Sequence, residues 1–164
     1  MLLAAPASAA IPSGTEFPTV TLRELDGAYF DLSMFGGRPI LVNFWATWCG
    51  PCRMELPVVQ RFYDRYGGRG LVVLAVSTDA QPQLVRPFLE KMNLSLPTYL
   101  MDPDDERKLG IASIPTTYLI DSQGRVIRGQ SGYSRRFETD WAPLIEQALP
   151  KPEGGTSPAR GGHE

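Results

Sequence analysis

The sequence is poor in the residues from which most catalytic and metal sites are built. Its 164 residues include two cysteines and one histidine. A closed zinc site takes about four nitrogen or sulfur ligands, so two cysteines and the distant His163 do not make one, and no metal is expected. Cysteine hydrolase chemistry needs a histidine base beside the nucleophile. Here the only histidine stands second from the end of a glycine-rich tail, which removes that class. There is no excess of positive charge either: the formal net charge is -2, and nothing points to a nucleic-acid partner. Internal repeats are absent, and the apolar opening is too short to span a bilayer.

The two ends read differently from the middle. Met1 to Ala10 is small and apolar, and Ala7-Ser8-Ala9 has the A-x-A form of a signal-peptidase site, although no Lys or Arg precedes it. Residues 1–13 are therefore expected to be a leader remnant or a flexible N-terminus, with export favoured. Residues 150–164 carry no apolar side chain larger than alanine to bury and are expected to be a disordered tail. Residues 14–149 are left as one domain.

What is there is concentrated in Phe44-Trp45-Ala46-Thr47-Trp48-Cys49-Gly50-Pro51-Cys52. Both cysteines lie here, where an apolar run ends and a helical pattern begins. At this spacing the side chains leave one helical turn on neighbouring sides, so the sulfurs can close and reopen a small ring without moving the rest of the fold. A purely structural disulfide is disfavoured, because the stabilisation grows with the loop enclosed and this loop is almost nil. Cys49 stands ahead of the first turn, where free N–H groups and the helix dipole favour a thiolate, so it is expected to attack. Cys52, one turn inside and facing the sheet, is expected to be shielded and to resolve the mixed disulfide. Such exchange calls for no cofactor.

Around this stretch the chain alternates. Asp26-Gly27 turns between two short strands, near 19–23 and 28–32. Ile40 to Trp45 is a continuous apolar run of the kind buried on both faces, and it delivers the dithiol to the C-terminal edge of a sheet. The next helix is expected from about Pro51 to Tyr66, with Cys52, Leu56, Val59, Tyr63 and Tyr66 inward and a kink at Pro57. Glu55 follows Cys52 by one turn, where side chains are neighbours, so its carboxylate can reach that thiol. Leu71 to Val76 reads as a second buried strand closed by Ser77-Thr78-Asp79, and Leu84, Val85, Phe88, Leu89 and Met92 as the stripe of a helix. A short strand over 96–101 and a charged surface turn over 102–109 come next. Ile114-Pro115 then precedes a strand over 116–120, which turns at Asp121-Ser122-Gln123-Gly124 into an antiparallel neighbour over 125–130. Ser134 is placed to cap a last helix bearing Phe137, Trp141, Leu144, Ile145 and Ala148. The class is α/β, a mixed central sheet flanked by helices with an N-terminal β-hairpin.

Residues 42–57, VNFWATWCGPCRMELP, together with Ile114-Pro115-Thr116 before a strand, resemble the TlpA/ResA-type family of thioredoxin-like thiol-disulfide oxidoreductases. The resemblance covers residues 14–149 and implies a thioredoxin-like fold with a central strand-helix insertion that begins with about 71–92 and extends towards the Ile-Pro pair. It implies that Cys49 is the nucleophile, Cys52 the resolving thiol and Glu55 the acid of the active-site cavity. It also implies that Pro115 is a cis-proline packed on the dithiol, with Ile114 offering backbone to a substrate and Trp48, Gly50 and Pro51 completing the binding surface. Asn43 stands where cytosolic thioredoxins carry a buried aspartate, which makes Glu55 the better candidate for proton transfer. The family further implies a periplasmic or otherwise extracytoplasmic reductant, anchored through a missing or truncated N-terminal segment. Its partners would be protein disulfides, apocytochrome c in cytochrome c maturation among them, with a membrane thiol-disulfide carrier as electron donor.

Two other classes share the fold. Peroxiredoxins place a Pro-x-x-x-Thr-x-x-Cys pattern at the reactive cysteine, whereas here Thr47 is two before Cys49 with no matching proline. A non-catalytic docking module would tolerate loss of the dithiol.

Overall fold

The computed structural model describes residues 11–152; residues 1–10 of the expected leader and 153–164 of the tail, His163 included, lie outside the described residues. Seven strands form one mixed sheet: β1 (Thr21–Glu24), β2 (Tyr29–Asp31), β3 (Ile40–Trp45), β4 (Val72–Ser77), β5 (Thr98–Met101), β6 (Thr116–Ile120) and β7 (Val126–Ser131). Their order across the sheet is β2-β1-β5-β4-β3-β6-β7. The three inner strands β5, β4 and β3 run parallel, and both flanks are antiparallel. The segment that the family resemblance implies as a central insertion thus starts with β4, the middle strand.

Every residue of β3 and β4 is buried, as their largely apolar runs require, the polar Asn43 and Ser77 included. Alternate side chains serve two cores. Leu41, Trp45, Val73 and Ala75 face a core closed by α1 (Gly50–Tyr66), α2 (Val85–Lys91) and α4 (Phe137–Ala148). Ile40, Val42, Phe44, Leu74 and Val76 face a second core with Phe17, Val20 and Leu109 of α3 (Pro103–Leu109). Each fully buried side chain of this kind contributes about 1.5–3 kcal/mol.

Four local expectations are corrected. The buried face of α1 includes Phe62, and Tyr63 is half-buried, because α4 packs along that flank with Phe137 5.8 Å from Phe62 between ring centroids. Leu84 is exposed, since Pro82–Leu84 form a separate 3-10 turn and α2 starts afresh at Val85; Met92 is half-buried. Ser134 does not cap α4: its Oγ accepts from Arg136 N–H at 3.1 Å and its carbonyl from Phe137 N–H at 3.0 Å, a turn that delays the helix to Phe137. The charged run is not all surface either. Asp105 on α3 is buried and accepts from Thr21 N–H at 2.7 Å, which ties that helix to β1.

Candidate active site

β3 ends at Trp45, and a turn in which Cys49 N–H donates to Ala46 O at 3.2 Å leads directly into α1. Cys49 is the N-cap residue: Cys52 N–H donates to its Sγ at 3.2 Å, no acidic residue occupies the first turn, and Pro51 stands where a missing N–H costs nothing. An anion at this sulfur is favoured by the helix end. The two cysteines are joined as a disulfide, with Cα atoms 5.3 Å apart. In this oxidised state Cys49 is 4% exposed and Cys52 0%. Both cysteines are thus buried in this state, and what a visitor meets is Trp48, 70% exposed, with Gly50 and Pro51 beside it.

The Ile114-Pro115 peptide is cis, with Pro115 buried and Ile114 half-buried. Ile114 O lies 3.7 Å from Cys49 Sγ, so a backbone acceptor faces the sulfur that the sequence marks as the attacker. Gly132 N–H donates to Pro115 O at 2.7 Å; its φ of 83° is one that glycine adopts freely, and it pins the proline loop to the end of β7.

Beneath the disulfide lies a buried polar trio. Asn43 on β3 and Thr117 on β6 are directly paired in the sheet, and both face α1. Asn43 Nδ2 donates to Glu55 Oε1 at 2.9 Å and to Thr117 Oγ1 at 2.8 Å, and Thr117 Oγ1 donates to the same Oε1 at 2.6 Å. Glu55 is 1% exposed, and neither its Oε2 nor Asn43 Oδ1 receives a protein donor. Burial pushes the Glu55 carboxyl up from 4.5 to about 7, against the opposing pull of the hydrogen bonds from Thr117 and Asn43. A carboxyl with this value exchanges protons in the neutral range.

Sequence reading missed two parts of this assembly. Thr117 was only a β-branched strand residue, and its partnership depends on a cross-strand register that no local pattern reveals. Asp79 was only the end of a strand, yet it accepts from Thr47 N–H at 2.9 Å, Thr47 Oγ1 at 2.6 Å and Ser77 Oγ at 2.7 Å. Parallel pairing of β3 and β4 brings their C-terminal ends together, so Asp79 braces the loop that carries Trp48 and Cys49. Arg53 Nη2 adds a bond to Thr47 O at 3.0 Å while its guanidinium lies 5.5 Å from the Phe88 ring centre.

Comparison with protein families matches residues 12–142 to Redoxin. The thiol-disulfide oxidoreductase ResA of Bacillus thuringiensis subsp. konkukian is 32% identical over 121 residues, 73% of this chain and 69% of that one. ResA of Geobacillus thermodenitrificans is 34% identical over 119 residues, covering 71% and 68%. The chain belongs to the Redoxin family, among the ResA-type thiol-disulfide oxidoreductases. A thiol:disulfide interchange protein of the thioredoxin family from Chlorobium tepidum TLS superimposes with a TM-score of 0.70 at 26% identity, over 87% of this chain and 100% of that one. The thioredoxin domain of a thiol-disulfide oxidoreductase from Bacteroides vulgatus shares the fold at a TM-score of 0.72 and 23% identity, over 82% and 99%. This ResA-type oxidoreductase is accordingly a thioredoxin-like protein, and its two sulfurs are the redox pair.

Proposed function

We propose that this oxidoreductase is an exported reductant of protein disulfides in which Cys49 attacks, Cys52 resolves and Glu55 takes the resolving proton. Reduced Cys49 thiolate displaces one sulfur of the partner's disulfide, which leaves as thiolate with the bonding pair. Cys52 then loses its proton to Glu55 and attacks Cys49 Sγ. The Cys49–Cys52 bond forms, the mixed bond breaks, and the second partner sulfur departs as thiolate and is protonated. Two electrons pass to the partner, and a membrane thiol-disulfide carrier restores the dithiol. Apocytochrome c, whose haem-site cysteines need reduction, is among the substrates of this reading. Ile114 backbone, cis Pro115, Trp48, Gly50 and Pro51 form the surface on which the partner docks.

The observation that carries the reading is a disulfide at a helix start with a buried carboxyl one turn further along the same helix, where i,i+3 side chains lie about 5–6 Å apart at Cβ. The substrate class follows from shape. Clefts lined by Phe35, Tyr63 and Tyr99, and by Phe17, Leu32 and Ile120, contain neither cysteine, whereas the buried disulfide adjoins an exposed tryptophan, Trp48. Export is favoured by the A-x-A leader pattern; among the described residues no helix is long and apolar enough to cross a membrane.

The deciding experiment is a trap. The Cys52→Ser variant, reduced and exposed to an envelope extract, is expected to retain partner proteins through Cys49, released by dithiothreitol, while Cys49→Ser retains none. Equal capture by both variants, or no reduction of insulin disulfides by the wild type, refutes the assignment.

A further inference from the structure

Glu55 is held by one oxygen only. Thr117 Oγ1 accepts from Asn43 Nδ2, so its single hydrogen is committed to Glu55 Oε1, and the second Asn43 hydrogen converges on that same oxygen. With two hydrogens directed at it, Oε1 is an acceptor in both protonation states. Oε2 is equally buried and receives no protein donor. The trio is thus polarised one way, from Asn43 through Thr117 to Glu55.

The core on this side of the sheet offers the carboxyl no charged partner: β3 adds Leu41 and Trp45, β4 adds Val73 and Ala75, and α4 adds Phe137 and Trp141, none of them ionisable. Trp45 Nε1 is likewise buried with no partner and makes no bond to Glu55. On α1 itself the nearby titratable groups are Cys49 and Cys52, and no ion pair reaches Glu55 among the described residues. Three polar side chains buried together are costly unless each bond is made, and apolar residues of the same shape would pack the space without that cost. The cross-strand pair Asn43 and Thr117 therefore does something that core packing alone does not require.

We propose that Asn43 and Thr117 are positioning residues that hold Glu55 by Oε1 and confine the proton it exchanges with Cys52 to Oε2. The inference rests on the proton-transfer role of Glu55 in the proposed function. Both donors stabilise the carboxylate more than the acid, so removing either raises the pH at which Glu55 works and frees the carboxyl to turn.

The test is the pH profile, from 5 to 9, of the single-turnover rate at which the reduced protein closes its own disulfide on a peptide disulfide, followed by tryptophan fluorescence. Wild type is expected to show an inflection near 7 and Glu55→Gln to lack it. Thr117→Val and Asn43→Leu are expected to move the inflection up by about one pH unit, and Thr117→Ser to restore it. If Glu55→Gln keeps the wild-type inflection, the role of Glu55 itself is wrong. If Glu55→Gln abolishes it while Thr117→Val and Asn43→Leu leave it in place, the positioning role is wrong. A second measurement needs no core variant of the pair. The infrared difference between oxidised wild type and Glu55→Gln at pH 5 is expected to show a carboxylic-acid carbonyl stretch lowered by two hydrogen bonds, and a free-carbonyl frequency overturns the proposal.

Discussion

Replacing Glu55 by glutamine should make the oxidised protein more stable above neutral pH, and the size of the gain follows from the burial of one carboxyl. In the folded chain that group titrates at about 7 instead of 4.5, about 2.5 pH units at about 1.36 kcal/mol each, or about 3 kcal/mol. The folded state binds the proton more tightly than the unfolded state. The contribution is therefore complete below pH 4.5, falls as the pH rises towards 7, and is gone above it. Glutamine offers its carbonyl to Asn43 and Thr117 and places an amide where the acid carries its proton, so the variant stays in the uncharged arrangement at every pH. Urea unfolding of both proteins from pH 4 to 8.5 should give nearly equal stabilities at the acid end and a gap of about 3 kcal/mol at the alkaline end, equivalent to about 10 °C in Tm for a domain of this size. Other titrating groups are common to both proteins and cancel in the difference. Parallel curves across the whole range would refute the account of Glu55 as a carboxyl kept largely neutral by burial. The gain has a functional counterpart: the same substitution should slow disulfide closure, because the stable form is the one without a base.

Trp48→Ala should change stability by no more than about 0.5 kcal/mol, since the side chain is mostly exposed, while lowering kcat/KM for protein disulfides and sparing small ones; insulin and a dithiobenzoate reagent compared side by side check this. Asp79→Ala strips three donors of their acceptor and should cost about 1–3 kcal/mol, with faster hydrogen exchange at the Thr47 amide as the local signature. Burial pushes the Asp105 carboxyl up, but Lys108 and the Thr21 N–H together outweigh it and hold it below the usual aspartate value of 3.8. Its stabilisation is therefore present above that value and lost as the pH falls below it, so Asp105→Ala, about 1–3 kcal/mol weaker at pH 7, should converge on wild type in acid unfolding curves.

The dithiol, its helix and the strand that delivers it were legible because they are local: the Cys-x-x-Cys spacing, the proline at the helix start and a run apolar but for Asn43 are each read within a few residues. What escaped depends on neighbours distant in sequence. The stripe on α1 misses Phe62 because a helix more than seventy residues later, bearing Phe137, decides which flank is covered. Glu55, expected beside Cys52, is also a buried residue with partners on two strands, Asn43 and Thr117. Thr117 and Asp79 could be found only through strand register, and Ile114-Pro115 gained its meaning from a family pattern, not from any propensity of its own.

The N-terminal hairpin joins the sheet only through β5, and its firmest tether, Thr21 to Asp105, spans 84 residues. A ribosome adding about 5–20 residues per second therefore leaves β1 without its second neighbour, β5, for on the order of 4 to 16 s. β1 and β2 precede β3 and β4 in the chain but are seated only after that pair has formed, and during that interval the open edge of β1 is what a chaperone encounters.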